Sequence, residues 1–127
     1  MKTIRFLATI LFLVSTFNNL TAQTPQNILP VEVYYFHATN RCVTCEAVEA
    51  VTKEALKQFY GDQIVLKSIN REEDKTNPLI KKHKIAGQTL LILKGDKAEN
   101  LTNFAFMNAR TNPDKLKKKI KETIEKM

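Results

Sequence analysis

The two cysteines of the chain, Cys42 and Cys45, are its only ones and lie three positions apart. An apolar, strand-like run at residues 31–36 precedes them, and a helical pattern at residues 46–60 follows. Residues at i and i+3 in the first turn of a helix share a face, close enough for a disulfide after a small backbone adjustment. A bridge that closes so short a loop stabilises a fold little, because the entropic gain grows with loop length. The pair therefore predicts a reversible dithiol, with an inert structural bridge as the plain alternative.

The neighbours of the pair suggest which cysteine reacts first. The positive end of a helix dipole and the adjacent Arg41 both favour the thiolate of Cys42. Cys42 is then expected to attack a disulfide of a partner protein, and Cys45, one turn deeper, to resolve the mixed disulfide. His37 ends the preceding strand and is a second group that could stabilise a thiolate, although a strand-end histidine packed at the surface is the favoured interpretation. Glu46 follows the pair and is most simply a solvent-facing charge.

A metal site is the alternative from a different functional class. Cys42, Cys45 and His37 are residue types that bind Zn²⁺ or Cu⁺. No second pair of ligands occurs at a tight spacing elsewhere in the chain. The redox interpretation therefore leads, with no metal and no organic cofactor required.

The hydrophobic pattern predicts an α/β chain with the order β-α-β-α-β-β-α. Strands are expected at residues 31–36, 63–70, 89–94 and within 98–107, and helices at 46–60, 78–84 and from Pro113 onward. The helix between the first two strands makes them parallel, and the turn at Gly95 and Asp96 makes the last two antiparallel. We thus expect a central four-stranded mixed sheet flanked by helices, with the first strand inside the sheet.

The first long helix is predicted to be amphipathic. Its apolar face is formed by Val48, Val51, Ala55, Leu56 and Phe59. Its solvent face is expected to carry Glu46, Glu49, Lys53, Glu54 and Lys57.

The N-terminal segment is typical of a secretory signal. Lys2 and Arg5 precede a short apolar run at residues 6–14 and a polar, small-residue segment that ends at Ala22. We therefore divide the chain into a signal peptide at 1–22, an extended lead-in at 23–30 and one domain at 31–127. The apolar run is shorter than the roughly 20 residues of a spanning helix, so stable membrane insertion is not expected after cleavage. An uncleaved anchor is the alternative. The predicted location is the periplasm or the medium, where disulfides persist.

Charge gives little indication of a partner. The formal net charge of +7 becomes about +5 once Lys2 and Arg5 leave with the signal. The excess lies in the lysine-rich segments 81–84 and 115–121, which have no interleaved aromatic residues. A solvated basic face explains them better than a nucleic-acid or membrane surface. The expected partners are protein thiols and disulfides, and the expected state is a monomer.

The order of elements, with C-x-x-C at the start of the first helix, resembles the thioredoxin fold over nearly all of residues 31–127. Residues 77–93 are similar to the passage from the second helix to the third strand in that family, and the turn at 94–96 is similar to its hairpin. The resemblance implies a thiol-disulfide oxidoreductase that acts on protein disulfides. It also implies that Gln88 and Thr89 face the cysteine pair, where substrate would bind.

Two positions depart from the thioredoxin pattern. Gln88 stands where the family has a cis-proline that binds extended substrate backbone. The resemblance therefore does not imply that particular mode of substrate binding for this chain. Tyr35 or Phe36 stands where the family has a buried acid on its first strand. Residues 35–42, with Cys45 to Ala47, are also similar to small exported thioredoxin-like proteins of Bacteroidetes-type bacteria named after a nitrophenyl compound nitroreductase subunit. That similarity implies a further alternative, an accessory subunit of a larger reductase.

Overall fold

The computed structural model describes residues 30–127. The predicted signal peptide at 1–22 and residues 23–29 of the predicted lead-in lie outside them. Eight elements follow in chain order: β1 (Val31–His37), α1 (Val43–Tyr60), β2 (Leu66–Asn70), α2 (Pro78–Lys82), β3 (Thr89–Lys94), β4 (Lys97–Asn100), α3 (Thr102–Asn108) and α4 (Pro113–Lys126). None of these helices is long and apolar enough to cross a membrane.

The strands form one sheet in the order β2-β1-β3-β4. β1 pairs with β2 in parallel, and β3 pairs with both β1 and β4 in antiparallel fashion. The prediction of a four-stranded mixed sheet flanked by helices, with the first strand inside it, is therefore confirmed. Helix α1 supplies the crossover that two parallel neighbours require.

Both faces of the inner strands are buried, which explains their nearly continuous apolar sequences. On one face, Val33 and Tyr35 of β1 and Leu90 and Ile92 of β3 pack with apolar residues of α1, α3 and α4. The alternate residues Phe36, Leu91 and Leu93 pack on the opposite face with Ile85 and with Leu79 and Ile80 of α2. The larger of the two clusters lies beneath α1, the helix that carries the cysteines.

Helix α3 is a correction to the predicted order of elements. The strand expected within 98–107 ends at Asn100, and the chain then turns into a helix at Thr102. The Asn100 side chain accepts a hydrogen bond from the Thr102 amide (3.0 Å), and the Thr102 hydroxyl accepts one from the Leu90 amide (3.0 Å). Leu101 and Ala105, four residues apart, are both buried in the main core. This side-chain turn and the helical spacing of buried residues outweigh the strand propensity of a segment that contains two phenylalanines.

We predict that Ile92→Ala lowers the free energy of unfolding by about 2–5 kcal/mol, because removal of a fully buried side chain leaves a cavity. Ile92 is 0% exposed in the centre of β3. Urea denaturation followed by circular dichroism measures the loss. The matched control is Val65→Ala just before β2, where the side chain is 63% exposed and the change should stay within about 0.5 kcal/mol. Equal losses at the two positions would contradict the observed core.

Candidate functional site

The two cysteines form a disulfide at the N-terminus of α1, with their Cα atoms 5.0 Å apart. Cys42 is the N-cap residue of the helix and is exposed, whereas Cys45 lies in the first turn and is 1% exposed. The C-terminal end of β1 delivers the short loop that leads into this helix. The sulfur atoms are therefore adjacent, with the leading residue open to solvent, an arrangement compatible with a redox site.

The backbone around Cys42 favours negative charge on its sulfur. The Cys45 amide donates a hydrogen bond to Sγ of Cys42 at 3.2 Å, and the Glu46 amide donates to the Cys42 carbonyl oxygen at 3.0 Å. Amide groups in the first turn of a helix carry the positive end of the helix dipole. When the disulfide is reduced, this environment stabilises a thiolate at Cys42.

The loop before Cys42 is held in place by the end of β2. The Thr39 amide donates to a Glu72 carboxylate oxygen (2.9 Å), and the Asn70 side chain donates to the Thr39 hydroxyl (3.0 Å). The Arg71 amide extends the parallel pairing by donating to the His37 carbonyl oxygen (2.9 Å). Contacts from a different strand thus fix the approach of the chain to the helix.

Tyr35 connects the first turn of α1 to the start of β3. Its side chain is fully buried, and its Oη lies 3.0 Å from the Cys45 carbonyl oxygen and 2.7 Å from Oε1 of Gln88. Both oxygens are acceptors, so the single hydroxyl proton of Tyr35 is the donor that the Cys45 carbonyl oxygen and Gln88 Oε1 share. Burial raises the pKa of Tyr35 to about 12, so the hydroxyl remains a donor to Cys45 near neutral pH.

Gln88 therefore directs its side chain inward at the place that the resemblance assigned to a proline. Thr89, the next residue, is buried, and its hydroxyl donates to the Gly87 carbonyl oxygen at 3.2 Å. Gln88 is joined to the cysteine turn through the Tyr35 hydroxyl. The Thr89 hydroxyl is instead engaged within its own loop.

Arg41 forms an ion pair with Glu49 and lies 5.7 Å from the centroid of the Tyr35 ring. Lys53 contacts the same carboxylate from the solvent side at 2.7 Å. Burial by itself would raise the pKa of Glu49, but the hydrogen bonds from Lys53 and Arg41 outweigh it and lower the value to about 2. Arg41, expected to support a thiolate at Cys42, is thus matched with a carboxylate that stays ionised.

The burial of Glu49 corrects its predicted place on the solvent face of α1, since it is only 7% exposed. Glu49 lies one helical turn after Cys45 and one before Thr52, and both of those residues are buried. Residues at i, i+4 and i+7 share a helix face. That spacing is a sequence signal for burial at position 49, whereas the charge of the side chain favours the solvent face.

His37 is half-buried on the same face of β1 as Tyr35, with the two ring centroids 6.2 Å apart. Its Nδ1 lies 2.9 Å from the Ala38 carbonyl oxygen. Within residues 30–127, no three side chains of the metal-binding types histidine, cysteine, aspartate and glutamate lie close enough together to hold a metal ion. The alternative ligand set of Cys42, Cys45 and His37 is therefore not assembled in this structure.

We predict that Glu49→Gln destabilises the protein at pH 7 by about 1–3 kcal/mol, because Arg41 loses its partner in a largely buried site. The pKa of Glu49 falls from an ordinary 4.5 to about 2 on folding, so its charge contributes fully above pH 4.5. That contribution is lost as the pH falls from 4.5 towards 2. Urea denaturation at several pH values measures both effects, and the gap between wild type and variant should narrow across this window.

The control for this experiment is Asp62→Asn just after α1. The Asp62 side chain is 89% exposed and pairs at 2.7 Å with Lys57, which is itself 69% exposed, so its loss should cost less than about 1 kcal/mol. A gap between wild type and Glu49→Gln that stays constant from pH 7 to pH 2 would contradict the assignment to an ionised Glu49.

No protein-family model matches the chain, and no curated protein matches it. Among solved structures, the fold is similar to a chain described as "Structure of a malarial protein", with 23% sequence identity and a TM-score of 0.43. The similarity covers 54% of this chain and 73% of that chain. The function proposed below is therefore inferred from the residues of the site.

Proposed function

We propose that the protein is a thiol-disulfide exchange protein of the thioredoxin-like type, in which Cys42 is the nucleophile and Cys45 the resolving cysteine. The observation that carries this proposal is the pairing of an exposed N-cap cysteine with a buried cysteine one turn deeper in α1. A bridge across so short a loop offers little stability, whereas the exposed sulfur is open to attack by a partner.

The exchange proceeds in two balanced steps. In the reduced protein, the Cys42 thiolate attacks one sulfur of a partner's disulfide, so that a mixed disulfide forms and one partner thiolate leaves. The Cys45 thiolate then attacks the Cys42 sulfur, which forms the Cys42–Cys45 disulfide and releases the second partner thiolate. Two electrons pass from the protein dithiol to the partner, whose two thiolates take up the two protons. The reverse sequence donates a disulfide to a partner dithiol.

The arrangement of elements supports the thioredoxin-like part of the proposal. The C-x-x-C stands at the N-terminus of a helix that connects two parallel strands, and β3 runs antiparallel beside the first of them. The start of β3 reaches the cysteine turn through Gln88 and Tyr35. This link between the residue before β3 and the cysteine turn supports the resemblance, although the residue there is glutamine.

We propose that the protein is exported to the periplasm or the medium. A disulfide that has to cycle is most useful where oxidised proteins are made, and the sequence at residues 1–22 is typical of a secretory signal. The proposed partners are protein thiols and disulfides, and the chemistry requires no cofactor because both cysteines supply the electrons.

We predict that the reduced Cys45→Ser variant accumulates a covalent adduct with oxidised partner proteins, because the mixed disulfide at Cys42 has no resolving thiol. The variant is mixed with an oxidised extract of exported proteins from the source cells, and with insulin as a defined substrate. Non-reducing electrophoresis and mass spectrometry identify the adducts and the bonded residue.

Cys42→Ser is the matched control, since it keeps one thiol but leaves it buried, and it should yield less than about a tenth of the adduct. Wild-type protein should form little stable adduct because Cys45 releases the partner. Equal labelling of the two single-cysteine variants, or no adduct with any oxidised protein, would refute disulfide exchange through Cys42.

A further inference from the structure

We infer that Glu49 sets the reduction potential of the Cys42–Cys45 couple by holding the Arg41 guanidinium away from the Cys42 sulfur. Glu49 would thus be a positioning residue that acts through Arg41. The inference rests on the proposed function only in requiring that the disulfide be reversible.

The position of Arg41 is the first part of the argument. Arg41 immediately precedes Cys42, so its backbone lies next to the reactive residue. Its side chain nevertheless lies against the Tyr35 ring and is only 23% exposed. The Cys42 sulfur accepts its hydrogen bond from the Cys45 amide. The Arg41 guanidinium, the nearest cation in the sequence, is therefore engaged by Glu49 and Tyr35 rather than by the Cys42 sulfur.

Glu49 is the group that fixes this direction. Its side chain is 9% exposed and receives Arg41 from within and Lys53 from the solvent side. The Lys53 side chain is 58% exposed and can find water instead, whereas a buried carboxylate and a largely buried guanidinium need each other. Loss of the Glu49 charge therefore removes the main reason for Arg41 to stay against Tyr35.

The consequence for the cysteine couple follows from charge. A guanidinium is protonated at every relevant pH, and an opposite charge within about 4–6 Å favours the ionised form of an acid. A released Arg41 would stabilise the Cys42 thiolate, which exists only in the reduced protein. Stabilising the reduced form raises the reduction potential. By pairing with Arg41, Glu49 therefore keeps the potential of the couple lower than it would be with Arg41 beside Cys42.

The test is the equilibrium of purified protein with glutathione at pH 7, in which one protein disulfide and two reduced glutathione molecules give one dithiol and one oxidised glutathione. Thiol alkylation followed by mass spectrometry counts the reduced fraction. We expect Glu49→Gln to shift this equilibrium constant about tenfold towards the dithiol. Glu54→Gln, in the same helix but paired with Lys117, should leave it within about twofold.

A second pair of variants separates the action through Arg41 from a direct effect of the Glu49 charge on the cysteines. In the background Arg41→Gln, the change Glu49→Gln should alter the equilibrium constant by less than about threefold, because no cation remains to be released. The same shift in both backgrounds would overturn the inference, as would an unchanged constant in Glu49→Gln alone.

Folding is checked by circular dichroism for each variant. If Glu49→Gln does not fold, Glu49→Asp replaces it, since this variant keeps the charge on a shorter side chain. It should shift the equilibrium constant with glutathione in the same direction by a smaller factor. An unchanged constant in Glu49→Asp would overturn the inference. This inference and the proposed function can fail separately. A wild-type couple that equilibrates with glutathione but forms no partner adduct removes the exchange function, whereas adduct formation with an unmoved potential removes only the role of Glu49.

Discussion

The structure around the disulfide depends on the buried hydroxyl of Tyr35. A fully buried hydroxyl needs hydrogen-bond partners, and here they come from two other parts of the chain, the Cys45 carbonyl group and the Gln88 side chain. The ring of the same residue supports Arg41. One side chain of the inner strand β1 thus joins the helix that carries the cysteines to the start of β3 and to the loop before Cys42. Because the hydroxyl stays protonated well above neutral pH, this connection holds throughout the physiological range.

The electrostatics of the site combine two sources with different effects. The helix N-terminus acts on Cys42 directly, through an amide that donates to its sulfur. The Arg41 charge is offset by Glu49, which remains ionised in a largely buried position. Buried ion pairs contribute little net stability compared with apolar packing. Removal of one partner is nevertheless costly, because it leaves the other charge buried and unpaired. The helix N-terminus thus acts on Cys42 directly, while the Arg41 charge is paired with Glu49.

Much of the fold could be predicted from local sequence signals. The parallel β1 and β2, the hairpin of β3 and β4 and the start of α4 at Pro113 follow from apolar runs, turn residues and a proline at the first helical position. Helix α3 could not be found in this way. Its start depends on a contact between the Thr102 hydroxyl and the Leu90 amide, two residues that meet only once β3 and β4 are paired. A segment with mixed propensities takes the conformation that its neighbours in space favour.

For the site, the spacing of the two cysteines and the helical pattern that follows them predict that both lie in the first turn of a helix. The sequence also predicts that Cys42 lies at the helix N-terminus near the amide groups, and the structure adds that Cys42 is itself the N-cap residue. The pairing of Arg41 with Glu49 and the contact of Gln88 with Tyr35 follow instead from tertiary packing. Those positions depend on side chains 8 and 53 residues apart finding partners in a partly buried space. The cost of leaving a buried charge or hydroxyl without a partner selects them, and that cost exists only after the sheet and α1 have packed together.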